Sequence, residues 1–190
     1  GASLFLPFLP MLPVQILLKN LLYDTVSAAL PLDRVDREDV AGPQRWDMAL
    51  LQRFMFVIGP VSSLFDLLTF WLLLTVFRAS EPVFQTAWFV VSLLTELAVL
   101  LVLRTHLPAW RSRPGTLLWT TTVVVAAVAV ALPFIPPAAT LFSLVALPPA
   151  LLGSLLLIVL AYVAATEFAK RHYPAPPRRR RRPRPRARPG

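Results

Sequence analysis

Hydrophobic positions in this chain fall in long blocks, separated by short polar or proline-bearing breaks. The blocks cover residues 12–30, 53–77, 84–103, 115–132 and 150–168. Each is about 20 residues long, the length at which a helix rising ~1.5 Å per residue crosses a hydrocarbon layer of ~30 Å. Backbone polar groups in lipid must be satisfied within their own segment, so all five blocks are predicted to be helices. The expected fold class is an all-α membrane protein, a helical bundle with five transmembrane helices. Residues 1–11 are too short to cross, and Pro7, Pro10 and Pro13 punctuate them. They read as the end of a preceding transmembrane helix and its tight turn.

The breaks differ in charge. Residues 31–52 carry Arg34, Arg37 and Arg45 among several acids, and residues 104–114 carry Arg104, Arg111 and Arg113. The connections at 78–83 and 133–149 hold a single Arg between them, and the second is rich in proline. Basic loops favour the cytoplasmic side. This alternation predicts a multi-pass protein of the plasma (inner) membrane with a cytoplasmic C-terminus. The turn at 7–11 and the connections at 78–83 and 133–149 then share the outer side. Trp46, Trp88, Trp110, Trp119 and Tyr173 lie near block ends, as an interfacial aromatic belt would. Gly59-Pro60 is expected to kink the second span or to end a short lead-in helix.

Composition agrees with this reading. The chain has 190 residues, of which 56% are hydrophobic and 15% charged, too apolar for a soluble domain. The formal charge of +9 does not point to nucleic acid, because it sits in loops and in the terminal tail. The tail, 174–190, reads PAPPRRRRRPRPRARPG. Its proline content and charge repulsion forbid a packed core, so it is expected to be a disordered cytoplasmic segment touching anionic lipid head groups. It has no interleaved aromatic residues for stacking on bases. There is no Cys, which excludes disulfides, thiolate metal sites and a Cys nucleophile. His106 and His172 are too far apart in sequence to suggest a metal site. The chain opens on Gly without the basic start of a signal peptide, and is expected to be a fragment of a longer protein or a truncated reading frame.

The candidate chemistry lies inside the spans. Lys19, Asn20 and Asp24 sit near the middle of the first block, and a carboxylate at that depth costs about 3 kcal/mol on insertion scales. Such a group needs a partner, either a cation or a neighbouring helix. Residues 20 and 24 are one helical turn apart, so their oxygens share a face. An amide carbonyl with a carboxylate suits Mg²⁺, Ca²⁺ or a proton rather than a soft metal. Asp66 lies in the second span, one turn after Ser62 and Ser63, which are placed to hydrogen-bond it. Glu96 lies in the third, beside Thr95. The fifth ends at Glu167, Lys170 and Arg171.

Phe8-Leu9-Pro10-Met11-Leu12 followed by Asn20-Leu21-Leu22-Tyr23-Asp24 resembles the junction of the fifth and sixth transmembrane helices of P-type cation ATPases. Arg45-Trp46-Asp47, Arg53-Phe54-Met55, Gly59-Pro60-Val61-Ser62-Ser63-Leu64-Phe65-Asp66, Trp88-Phe89-Val90 and Leu103-Arg104-Thr105 continue the match in order. Together they are most similar to the bacterial magnesium-transporting type. The resemblance covers residues 2–173 and leaves out the tail. It implies that residues 12–173 are the C-terminal transmembrane domain of such a pump, and that the activity is ATP-driven movement of Mg²⁺ through an aspartyl-phosphate intermediate. It further implies metal-binding roles for Asn20, Asp24 and Glu96, the last by analogy with a carboxylate of the eighth helix in calcium pumps. Two positions depart from the pattern. Lys19 stands where an uncharged residue, often Gln, is expected, and Val91 replaces a carboxylate.

The resemblance also says what this chain lacks. No DKTGT motif is present, and no soluble segment is large enough for nucleotide. ATP would act only through domains absent from this chain, which should not hydrolyse it alone and would need the upstream part of the same pump as partner. Two other readings follow from the residues themselves. One is a stand-alone polytopic scaffold or interaction protein with a lipid-binding tail. The other is a proton-linked carrier built on Asp24, Asp66 and Glu96.

Overall fold

A computed structural model describes residues 7–29, 48–103 and 115–172. All described regular structure is helical. Helix α1 spans Pro13–Ser27, α2 Met48–Trp71, α3 Glu81–Leu103, α4 Thr116–Ala131, α5 Pro136–Leu141 and α6 Pro149–His172. Among the described residues, four stretches are long and apolar enough to cross a membrane: Ile58–Val76, Glu81–Val102, Thr116–Phe134 and Pro149–Ala169. These are the predicted second to fifth spans. Trp46, Trp110, Tyr173, the loops at 31–47 and 104–114, and the tail lie outside the described residues.

The first predicted span, 12–30, is described as far as residue 29. Pro13 occupies the first turn, where its missing N–H costs nothing, and fixes the helix start. At the other end the pattern tightens, with the Ala29 amide bonding the Val26 carbonyl at 3.0 Å. The 15-residue helix is only about 22 Å long at 1.5 Å per residue. The described helix is therefore shorter than a hydrocarbon layer of ~30 Å.

Helix α2 runs unbroken through Pro60, so Gly59-Pro60 ends no lead-in helix. Proline supplies no amide to the carbonyl one turn earlier, and neighbouring turns tolerate the gap. Farther along, α2 widens into a π-helical turn over Leu72–Val76. The Phe77 amide reaches back to Leu72 O at 3.1 Å and the Ala79 amide to Leu73 O at 2.9 Å. Arg78, at φ 45°, takes the left-handed conformation that closes helix ends. The predicted uncharged loop at 133–149 holds the short helix α5. It closes in the same way, with Ser143 at φ 52° and the Leu144 amide on Ala139 O at 2.8 Å.

Helix α3 is the hub. It packs against α1, α4 and α6, and α2 packs on α6. Phe84, Phe89, Val90, Leu93 and Leu97 of α3 are buried. Phe84 meets Phe8 edge-on at 5.3 Å, and Phe70 lies 4.5 Å from Trp88 between ring centroids. Trp88 thus packs inside the bundle rather than only at an interface, whereas Trp119 is exposed. Leu64 and Leu67 of α2, Val124 of α4 and Leu157 and Leu160 of α6 point outward, as lipid-facing residues do. With apolar residues on both sides, packing and hydrogen bonds between helices, rather than expulsion of water, hold such a bundle together.

Candidate functional site

The candidate site is built on α1. Gln15, Leu18 and Val26 are buried against the bundle. Leu17, Asn20, Leu21 and Asp24 form the opposite, exposed face. Asn20 and Asp24 therefore share one face, as their spacing requires, and that face turns away from α3 and α4. Two side-chain oxygens cannot by themselves satisfy Mg²⁺, which takes six near-octahedral ligands.

Lys19 points elsewhere. It is about 100° around the helix from Asn20 and about 140° from Asp24. Its ammonium donates to Glu96 Oε1 of α3 in an ion pair. Glu96 is thus engaged by Lys19 and is not gathered with Asn20 and Asp24. Among the described residues, no three His, Cys, Asp or Glu side chains cluster as metal ligands. Thr95, next to Glu96, turns back onto its own helix, donating to Val91 O at 2.9 Å and Ser92 O at 3.0 Å. Val91, the second departure from the pattern, is buried among apolar neighbours.

Asp66 lies on an exposed part of α2. The Ser62 hydroxyl, expected to serve it, instead pairs with the Tyr162 hydroxyl of α6 at 2.6 Å. Phe65 adds an edge-on contact with the Tyr162 ring at 5.3 Å. Asp66 lies within electrostatic range of the Lys19 ammonium.

Three buried polar side chains escaped the sequence reading, and they tie α1, the turn before it and the turn after α5 together with the start of α3. Gln15 accepts from the Leu12 amide through Oε1 at 3.2 Å, capping the helix start. Its Nε2 donates to Phe142 O at 3.3 Å and Ser143 O at 3.1 Å, the unpaired carbonyls at the end of α5. Gln85 Nε2 donates to Leu9 O at 2.9 Å, and Thr86 Oγ1 accepts from the Val145 amide at 3.0 Å. The signal for Gln15 was present as a Gln at the third helical position after a Pro start. Nothing local marked its distant partners. These bonds gather residues 9–15, 85–86 and 142–145 at one end of the bundle, as the charge alternation of the loops had predicted.

Comparison with known proteins decides the family. Residues 8–172 match the family described as "Cation transporting ATPase, C-terminus". The chain belongs to that family. It is 46% identical over 177 residues to a protein of Salmonella typhimurium (strain LT2) named "Magnesium-transporting ATPase, P-type 1", an alignment covering 90% of this chain and 20% of the relative. A protein of the same name from Escherichia coli (strain K12) is 45% identical over the same length and coverage. A second Salmonella typhimurium protein of that name is 38% identical, with 19% of it covered. The chain thus spans about a fifth of the length of the relatives it matches. The family match ends where the Arg/Pro tail begins, so the tail is outside what the family defines.

Proposed function

We propose that this chain is the C-terminal membrane portion of an ATP-driven P-type pump that carries Mg²⁺, and that it supplies Asn20 and Asp24 to the ion's path. The observation that carries this is the pairing of 46% identity to magnesium-transporting relatives with Asn20 and Asp24 on a face of α1 that α3 and α4 leave uncovered. In this reading the uncovered face receives the upstream part of the same pump, which completes the ligand set and contains the phosphorylation and nucleotide domains. Asp24 gives the negative charge and Asn20 a neutral oxygen to a partly dehydrated ion. Movement of the neighbouring helices, driven by phosphorylation, changes which side the ion can reach.

The remaining parts of the reading follow from charge. The Arg-rich loops and tail lie on the cytoplasmic side of a bacterial inner membrane, and the tail associates with anionic lipid head groups at ~1 kcal/mol per basic residue near the surface. The test of function is ATP-driven uptake of Mg²⁺ into vesicles by the whole pump that carries this segment. Uptake that requires ATP and saturates with Mg²⁺ is expected. ATP-independent flux would instead favour the carrier reading.

A further inference from the structure

The ion pair between Lys19 and Glu96 joins two opposite charges carried by neighbouring helices, α1 and α3. The Lys19 side chain is 16% exposed and that of Glu96 42%. An ammonium withdrawn from water needs a counter-charge, and removing one partner of such a pair leaves the other uncompensated. Glu96 meets that need by direct contact, and Asp66 adds a weaker field from α2. Lys19 is also adjacent in sequence to Asn20. Its side chain leaves α1 about 100° around the helix from Asn20, and Glu96 is what neutralises its charge.

We infer that Lys19 and Glu96 act as one neutral unit, in which the lysine ammonium takes the place of a metal ion at Glu96, removes that carboxylate from the transported ion's ligands and pins α1 to α3. Two observations favour this over a ligand role for Glu96. The carboxylate already binds a cation, covalently tethered and within hydrogen-bonding reach. A divalent ion brought to the same oxygen would face the ammonium's repulsion. In addition, the face bearing Asn20 and Asp24 turns away from α3, the helix that carries Glu96. Lys19 is then a positioning residue. It fixes how α1 is rotated, and so where Asp24 points, without touching the ion. This inference rests on the proposed ion path for its transport readout, but not for its stability readout.

The test is a charge-neutralising cycle in the whole pump: Lys19→Gln, Glu96→Gln and the double substitution. Each is assayed for the Mg²⁺ concentration giving half-maximal uptake and for its melting temperature in detergent. Glu96→Gln leaves the ammonium without its counter-charge and α1 without its tie to α3. It is expected to lower the melting temperature and to raise the half-maximal concentration by about tenfold, the change that about 1.4 kcal/mol produces. The double substitution is expected to return both values close to the parent. A double variant as impaired in Mg²⁺ affinity as Glu96→Gln alone would show that Glu96 is itself a ligand, and would overturn the proposal. So would additive losses in melting temperature, or a Glu96→Gln protein indistinguishable from the parent. Should Glu96→Gln fail to accumulate, recovery of folded protein in the double variant supports the pair, and failure to recover contradicts it. A parent that does not carry Mg²⁺ overturns the proposed function and leaves the melting-temperature cycle to decide the pair.

Discussion

Gln15 donates from Nε2 to the carbonyl oxygen of Ser143 at 3.1 Å, across 128 residues of sequence. The same amide group serves Phe142 O, and its oxygen caps the start of α1. One buried side chain therefore fixes where α1 begins and how it docks on the turn after α5. Replacing Gln15 by Leu keeps much of the volume but leaves these backbone groups unpaired. An unsatisfied buried group costs about 1–3 kcal/mol, so Gln15→Leu should unfold at a lower temperature than the parent. Gln15→Glu, which keeps the oxygen and loses the donor, should also be destabilised. An unchanged melting temperature for both would show that this bond carries no weight.

The Ser62–Tyr162 hydroxyl pair ties α2 to α6 just beyond Pro60, where the helix lacks one of its own bonds. Ser62→Ala and Tyr162→Phe should each destabilise the protein by ~0.5–1.5 kcal/mol, the usual net value of a hydrogen bond. Because the two groups share one bond, the double variant should lose little more than either single one. Fully additive losses, measured by thermal or denaturant unfolding in detergent, would mean that the two hydroxyls act independently.

The gathering of three connections at one end makes a topological prediction. The chain has no Cys, so single introduced cysteines report cleanly. Ser80→Cys and Thr140→Cys, both at exposed positions, should react with a membrane-impermeant maleimide from the same side. Ser112→Cys, in the Arg-rich loop, should react only from the other. In intact cells the first two are expected to label and the third to label only after the membrane is opened. Labelling of Ser112→Cys in intact cells would reverse the proposed orientation.

Much of this architecture was legible in the chain because length and hydropathy are local. Four of the five spans needed only a count of apolar residues, and the alternation of Arg between loops foretold which connections share an end. Features that depend on distant partners were not legible. The docking of Gln15 on Phe142 and Ser143 required knowing that α5 exists and ends beside α1. Ser62 had a nearby carboxylate in sequence, Asp66, and a better-placed hydroxyl on Tyr162 that no spacing rule connects to it. For the candidate site, the shared face of Asn20 and Asp24 followed from helical periodicity alone. The engagement of Glu96 by Lys19 did not, since both carboxylates of the expected ligand set were open to that lysine until the packing of α1 on α3 chose one.

Asp24 is the proposed negative ligand of the transported ion. In the whole pump, reconstituted into vesicles and supplied with ATP, Mg²⁺ uptake should be measured for the parent and for Asp24→Asn, which keeps the shape and removes the charge. Loss of the carboxylate proposed to meet the ion should abolish uptake or weaken apparent Mg²⁺ affinity by more than about tenfold, equivalent to ~1.4 kcal/mol, with the melting temperature preserved. Uptake by Asp24→Asn with the parent's rate and affinity would contradict the claim that this helix supplies the ion's negative ligand.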